Sequence, residues 1–218
     1  DADTFPFNDQ FAALADGSIR LTASTTLTDK DGDTVTDAKF VDIGANIRFA
    51  DDGPDISAVL KANVFIQVDG NLGSVTVLAG TYLTVTNVTT SADAPTLLSY
   101  ALSLSAQGVA SGLLQSATNQ PIYLYNVGGV VYGTTALVAP AGLDGSTVFT
   151  VALNASGDVT LTQYRAIEHG NTASVDELSA VLTSGVLNVQ ITARDFDGDV
   201  DFASVDIGSI IRFEDDGP

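Results

Sequence analysis

Cysteine is absent from this 218-residue chain, histidine occurs once, and Lys and Arg together number 8 against 27 Asp and Glu. Each shortage closes a class of function. Without cysteine there are no disulfides, no thiolate metal sites and no cysteine nucleophile. With His169 as the single histidine, a histidine-rich metal site and a two-histidine mechanism are both excluded. A net charge of −19 repels nucleic acid and anionic lipid, so nucleic acid is not an expected partner. No apolar run approaches the roughly eighteen residues that a spanning helix needs, so direct membrane insertion is not expected either. The opening DADTFPFNDQ lacks the basic start and apolar stretch of a signal peptide, and any export would use another signal. No G-x-G-x-x-G or P-loop spacing occurs around Gly128, Gly129 and Gly142, which leaves nucleotide binding unsupported.

A catalytic constellation is also missing. Glu168 and His169 are adjacent, and neighbours in a strand point to opposite faces. No motif places a nucleophile or an oxyanion loop. Clustered aspartates favour a bound cation over the separated carboxyl pair of a glycosidase, and the chain is not expected to be an enzyme.

What the chain does have is aspartate. Only Glu168, Glu177 and Glu214 among the acids are glutamates, a bias that favours tight turns and metal loops over solvated helix faces. The acids are uneven: residues 1–54 carry 11, residues 55–162 carry 5, and residues 163–218 carry 11. Two acidic blocks therefore flank a nearly neutral one.

An internal repeat explains the symmetry. The segment DIGANIRFADDGP, Asp42 to Pro54, recurs as DIGSIIRFEDDGP, Asp206 to Pro218, at an offset of 164 with ten identities. Upstream, Asp29-Lys30-Asp31-Gly32-Asp33 matches Asp195-Phe196-Asp197-Gly198-Asp199 at an offset of 166. The first copy thus holds two extra residues between the motifs, expected as a longer turn or a bulge. Leu14 to Ile19 lines up more loosely with Leu182 to Leu187. Residues 1–54 read as the closing part of a preceding repeat and residues 55–218 as one complete repeat, each ending on a Gly-Pro stop.

Runs such as residues 74–78, 82–86, 122–127, 148–153 and 159–162 cluster or alternate β-branched and aromatic residues. Between them lie Asp69-Gly70-Asn71, Gly128-Gly129, Asp144-Gly145-Ser146 and Ser156-Gly157-Asp158, which are hairpin and turn chemistry. Only residues 174–182 are helix-friendly. The pattern predicts an all-β fold, an antiparallel, Ig-like β-sandwich repeat with calcium loops. Tyr82, Tyr100, Tyr123, Tyr125, Tyr132 and Tyr164 are expected as strand residues in or beside the core, with a sugar-binding face as the other reading.

The D-x-D-G-D loops carry the sharpest chemistry. Asp29, Asp31 and Asp33, and again Asp195, Asp197 and Asp199 with Asp201 beyond, place carboxylates on alternate residues around a glycine turn. Such oxygens can converge on one Ca²⁺. The glycine falls two places earlier than in an EF-hand and no glutamate closes the loop, so this would be a calcium loop of another type, with a solvated acidic hairpin tip as the other reading. The second acidic signal is F-x-D-D-G-P: Asp51, Asp52 and Asp55 at one joint, Asp215 and Asp216 at the other. Bridging Ca²⁺ there would stiffen a hinge between stacked units. Arg48 and Arg212 lie three places before Asp51 and Asp215, within reach of an ion pair.

The order Tyr123-Leu124-Tyr125, Gly129 to Gly133, Val148 to Val151, Gly157 to His169, then D-x-D-G-D and F-x-D-D-G-P, resembles the long tandem repeats of RTX adhesins exported by type I secretion. The resemblance implies a calcium-dependent β-sandwich repeat in the stalk of a bacterial cell-surface adhesin that serves attachment and biofilm formation. It implies an extracellular location, neighbouring repeats of the same chain as partners, and an adhesion target held by a distal domain. The alternative is a module that itself binds carbohydrate or protein through the neutral block. The family's glycine-rich nonapeptide calcium repeats are absent from this sequence.

Overall fold

The computed structural model describes residues 11–50, 53–69, 72–87, 97–169, 179–196 and 198–214. The strands described there are, in chain order, β1 (Phe11–Ala13), β2 (Arg20–Thr28), β3 (Thr34–Asp42), β4 (Arg48–Ala50), β5 (Ile56–Leu60), β6 (Ile66–Val68), β7 (Ser74–Val77), β8 (Leu83–Asn87) and β9 (Leu97–Leu104). They continue as β10 (Val109–Gln115), β11 (Gln120–Val127), β12 (Val130–Thr134), β13 (Thr147–Leu153), β14 (Val159–Gln163), β15 (Ala180–Val181), β16 (Leu187–Arg194), β17 (Val200–Asp206) and β18 (Ile211–Phe213). The fold is an all-β sandwich.

Its largest sheet has six strands in the order β10-β11-β12-β13-β14-β7. Alternation builds it: in β14, Val159, Leu161 and Gln163 are buried while Thr160 and Thr162 face outward. Those threonines meet Thr76 and Ser74 of β7 through hydroxyl pairs at 2.8 and 2.6 Å. Such cross-strand pairs hold one strand edge to the next. The β11–β12 hairpin closes on Gly128-Gly129, with φ of +61° and +86°, the left-handed pair that a two-residue turn demands.

Opposite lie β17-β16-β9, β5-β8 and β15-β18-β6. Phe149 of β13 and Phe213 of β18, both fully buried, meet across the layers with ring centroids 4.9 Å apart. One pairing departs from the antiparallel expectation: β18 runs parallel to β6, Ile211 opposite Ile66 and Phe213 opposite Val68. Nothing local in sequence signals it, because the partners are separated by nearly the whole domain.

Residues 78–82 also differ from expectation. Tyr82 does not open a strand but closes a one-turn helix, Ala79–Tyr82. Asp158, from the β13–β14 turn, accepts the Ala79 amide at 2.9 Å and holds the first turn of that helix, while the Tyr82 hydroxyl donates to the Gly157 carbonyl at 2.7 Å. Of the helix-friendly stretch, residues 174–178 lie outside the described residues, and Ala180–Val181 is a strand. Tyr82 and Tyr125 are buried, Tyr100, Tyr123 and Tyr132 half-buried, and Tyr164 exposed.

Residues 11–50 rebuild the closing part of the sandwich, residues 179–214, with the same strand pairings. β1 pairs with β4 as β15 pairs with β18, and β2 with β3 as β16 with β17. The Leu14 amide donates to the Ile47 carbonyl as Leu182 does to Ile211, and Ile43 to Ile19 as Ile207 does to Leu187. The two extra residues of the first copy form neither a longer turn nor a bulge. They extend β3, and β2 is lengthened to match, so nine consecutive pairs run without a register shift from Arg20 opposite Asp42 to Thr28 opposite Thr34. The second hairpin pairs seven. A two-residue step is one full pleat, so it lengthens the hairpin by about 7 Å without turning any side chain to the other face.

Candidate metal loops and the repeated end-piece

In the first loop, Asp29, Asp31 and Asp33 are exposed and offer carboxylate oxygens that all lie within 4.8 Å of one another. Asp29 organises the turn: one of its oxygens accepts the Gly32 and Asp33 amides at 3.1 and 2.9 Å. Gly32 sits at φ +103°, which a side chain would resist. A hydrogen bond from the Asp31 carboxyl, with further ones from the loop amides, holds the Asp29 carboxyl below the usual carboxylate range. The donor set is all oxygen and hard, the kind that suits Ca²⁺.

The second loop repeats this turn in a different setting. Asp195 accepts the Gly198 and Asp199 amides at 3.1 and 2.8 Å, and Gly198 has φ +111°. Here Asp195 and Asp199 are buried. Asp201 is tied to backbone: its two oxygens accept the amides of Ile56 and Phe202, each at 2.8 Å. That bond fastens the start of β5 to the acidic loop and places Asp55, the residue before Ile56, at the same end of the sandwich. Gly53 and Pro54 are buried and Asp55 is exposed. Asp51, Asp52, Asp197, Asp215 and Asp216 lie outside the described residues. So do the acid partners expected for Arg48 and Arg212; Arg212 stacks over the Phe65 ring, 3.3 Å from its centroid, and Arg48 is exposed.

Sequence reasoning passed over a second carboxylate that both copies share. Asp42 accepts the Gly44 amide at 2.9 Å through one oxygen and the Gly17 amide through the other. Asp206 does the same with Gly208 at 2.8 Å and Gly185 at 2.7 Å. The Gly44 and Gly17 amides depress the Asp42 carboxyl, and Asp42 in turn raises that of Asp16 by hydrogen bonding and repulsion. The second copy has Ser184 where the first has Asp16, and its hydroxyl donates to Asp206. Glycine follows two places on because there is no room: a Cβ on Gly44 would stand 2.4 Å from the Ala15 carbonyl, and one on Gly208 2.6 Å from that of Thr183. The signal was present in the recurring D-I-G, whose aspartate opens both copies of the repeated segment.

His169 is buried, and its Nδ1 has no hydrogen-bond partner among the described residues. It lines a cleft of about 340 Å³ with Glu168, residues of β10 and residues 179–181.

These features define a class: an all-β sandwich preceded by a second copy of its own end-piece, with one acidic turn in each. The chain belongs to the family described as Domain of unknown function (DUF5801), whose model matches residues 63–208, more than half of the chain. The match takes in the six-stranded sheet and the second hairpin. No curated protein and no solved structure matches the chain.

Proposed function

We propose that this chain is a calcium-stabilised structural repeat in the extension region of a bacterial cell-surface adhesin, where it spaces a distal binding domain for attachment and biofilm formation. The observation that carries the reading is the duplication of the end-piece with the same strand pairings, including its D-x-D-G-D turn, within one chain. A repeated unit whose acidic turn is fastened to the start of its own first strand, as Asp201 is to Ile56, suits a stacked array. Asp29, Asp31 and Asp33 would hold one ion; Asp195 and Asp199, with Asp197, would hold another. Ca²⁺ would supply charge neutralisation there. Calorimetric titration with Ca²⁺ and Mg²⁺, joined to small-angle scattering with and without chelator, tests this. The expected result is Ca²⁺ binding that Mg²⁺ reproduces poorly, because Mg²⁺ demands near-ideal octahedral geometry. No heat and unchanged dimensions in all conditions would remove calcium from the reading.

The second reading, a module that binds carbohydrate or protein itself, has one observation in its favour: the cleft beside the Nδ1 of His169, which has no partner among the described residues. A glycan-array signal lost in His169→Ala would favour it over the spacer.

A further inference from the structure

The two end-pieces differ in what flanks them. In the second, β16 has β17 on one edge and β9 on the other, with eight antiparallel pairs from Leu187 opposite Leu104 to Arg194 opposite Leu97. β18 has β15 on one edge and β6, parallel, on the other. In the first, β2 pairs only with β3 and β4 only with β1 among the described residues. The apolar positions agree with the open edges. Phe49 is 61% exposed where Phe213 is fully buried, and Leu21 is 61% exposed where Val189 is fully buried. Leu27, Val35 and Val41 are exposed beside them.

We infer that the end-piece of residues 11–50 is a strand acceptor, completed by the body of another copy of this repeat joined ahead of it in the same polypeptide. Two open edges specify the occupant more narrowly than one. The β2 edge requires an antiparallel strand with the pattern of β9, and the β4 edge a parallel strand with the pattern of β6. One sandwich body supplies both in the right order and at the right spacing, as residues 53–169 do for the second end-piece. The longer hairpin adds a constraint: with Ile19 opposite the donor's last residue, the β9-like strand must gain a pleat, running to about ten residues, to pair with all of β2. The inference rests on the repeat reading and is independent of calcium, so either can fail alone.

The experiment extends the 218-residue chain at its N-terminus with a second copy of residues 53–168, the span that precedes the matching point 168 residues upstream. Amide hydrogen exchange of β2 and β4 is read against β16 and β18 in the same molecule. The expected result is that the β2 amides turned away from β3, which face an open edge among the described residues, slow by at least about a hundredfold, toward the protection of β16. Phe49→Ala should then destabilise the extended chain while leaving the original one unaffected. A second extended chain, with one residue pair removed from each of β2 and β3 to match the shorter hairpin, covers a length mismatch. If those β2 amides stay unprotected in both extended chains, the inference is overturned. So does concentration-dependent dimerisation of the 218-residue chain that protects β2, which would assign the edge to a copy in trans.

Discussion

The two end-pieces have the same strand pairings, the same strut carboxylate and the same acidic turn, yet opposite burial. Every described residue of β2 is exposed, while Leu187, Val189, Ile191 and Ala193 of β16 are buried. The comparison separates two causes that one domain alone confounds. Hairpin register, the Asp-to-amide strut and the glycine turn follow from sequence within about forty residues, since they form with or without a covering sheet. Burial comes from the rest of the sandwich, and so does most of the stability, because hydrophobic burial dominates over net hydrogen bonding.

Paired substitutions at matching positions test that separation. The largest contrast is expected for Phe213→Ala against Phe49→Ala. The first removes a fully buried ring packed at a tilt against Phe149 and should cost about 3–5 kcal/mol. The second should stay within about 0.5 kcal/mol. Chemical denaturation of both variants checks this, and equal losses would mean that the first end-piece is already covered in solution.

Calcium gives the next contrast. A saturating ion that binds only the folded state stabilises by about 2.7 kcal/mol at a hundredfold excess over its Kd. On the proposed calcium reading Ca²⁺ should raise Tm, and neutralising the buried loop as Asp195→Asn/Asp199→Asn should abolish that rise. Asp29→Asn/Asp31→Asn in the exposed loop should remove one binding event in calorimetry and leave Tm alone. Equal Tm effects from the two loops would contradict the division.

Glycine to alanine follows. Gly208→Ala drives a Cβ to 2.6 Å from the Thr183 carbonyl inside a packed end and should cost about 1–3 kcal/mol. Gly44→Ala meets the same obstacle at Ala15 but in a piece free to shift, and should leave the main thermal transition unmoved. Differential scanning calorimetry distinguishes them.

Acid produces the smallest effects, with opposite signs. Asp158, held down by the Ala79 amide and Asn154, has a folded pKa below its ordinary 3.8. Its contribution is therefore present above pH 3.8 and lost as pH falls through the depressed value. Asp16 is raised by Asp42, so its ionisation works against the first end-piece above its raised pKa and is harmless below 3.8. Asp16→Ser, which installs the residue of the second copy, should slow amide exchange around Gly17 at neutral pH and change nothing at pH 3. Exchange measured by NMR at the two pH values decides it.

Much of this architecture is legible in the sequence because it is local. Alternation exposes β14, paired glycines the β11–β12 turn, and self-similarity the repeated end-piece. The parallel β6–β18 pair is not legible, since no spacing rule links residues 66–68 to 211–213. The helical turn at Ala79–Tyr82 was hidden for the same reason: its stabilising carboxylate, Asp158, arrives from a distant hairpin. The matched lengthening of β2 and β3 was half visible. The offset between copies falls from 168 to 166 to 164 along the hairpin, and the paired steps mark one insertion in each strand. At the candidate loops, the D-x-D-G-D spacing located the convergence of Asp29, Asp31 and Asp33. It gave no hint that Asp201 would be used as a strap to Ile56, because that contact spans the domain.

The parallel β6–β18 pair has a mechanical consequence. When a chain is pulled from both ends, antiparallel neighbours joined by a turn unzip one bond at a time. Tension reaching β6 from its N-terminal side and β18 from its C-terminal side instead draws two parallel strands past each other. Their three register pairs, Ile211 with Ile66, Arg212 with Gln67 and Phe213 with Val68, are then sheared together, and Phe213 must leave its contact with Phe149 in the same event. The geometry makes this short sheet, at the closing end of the domain, a clamp against extension under force.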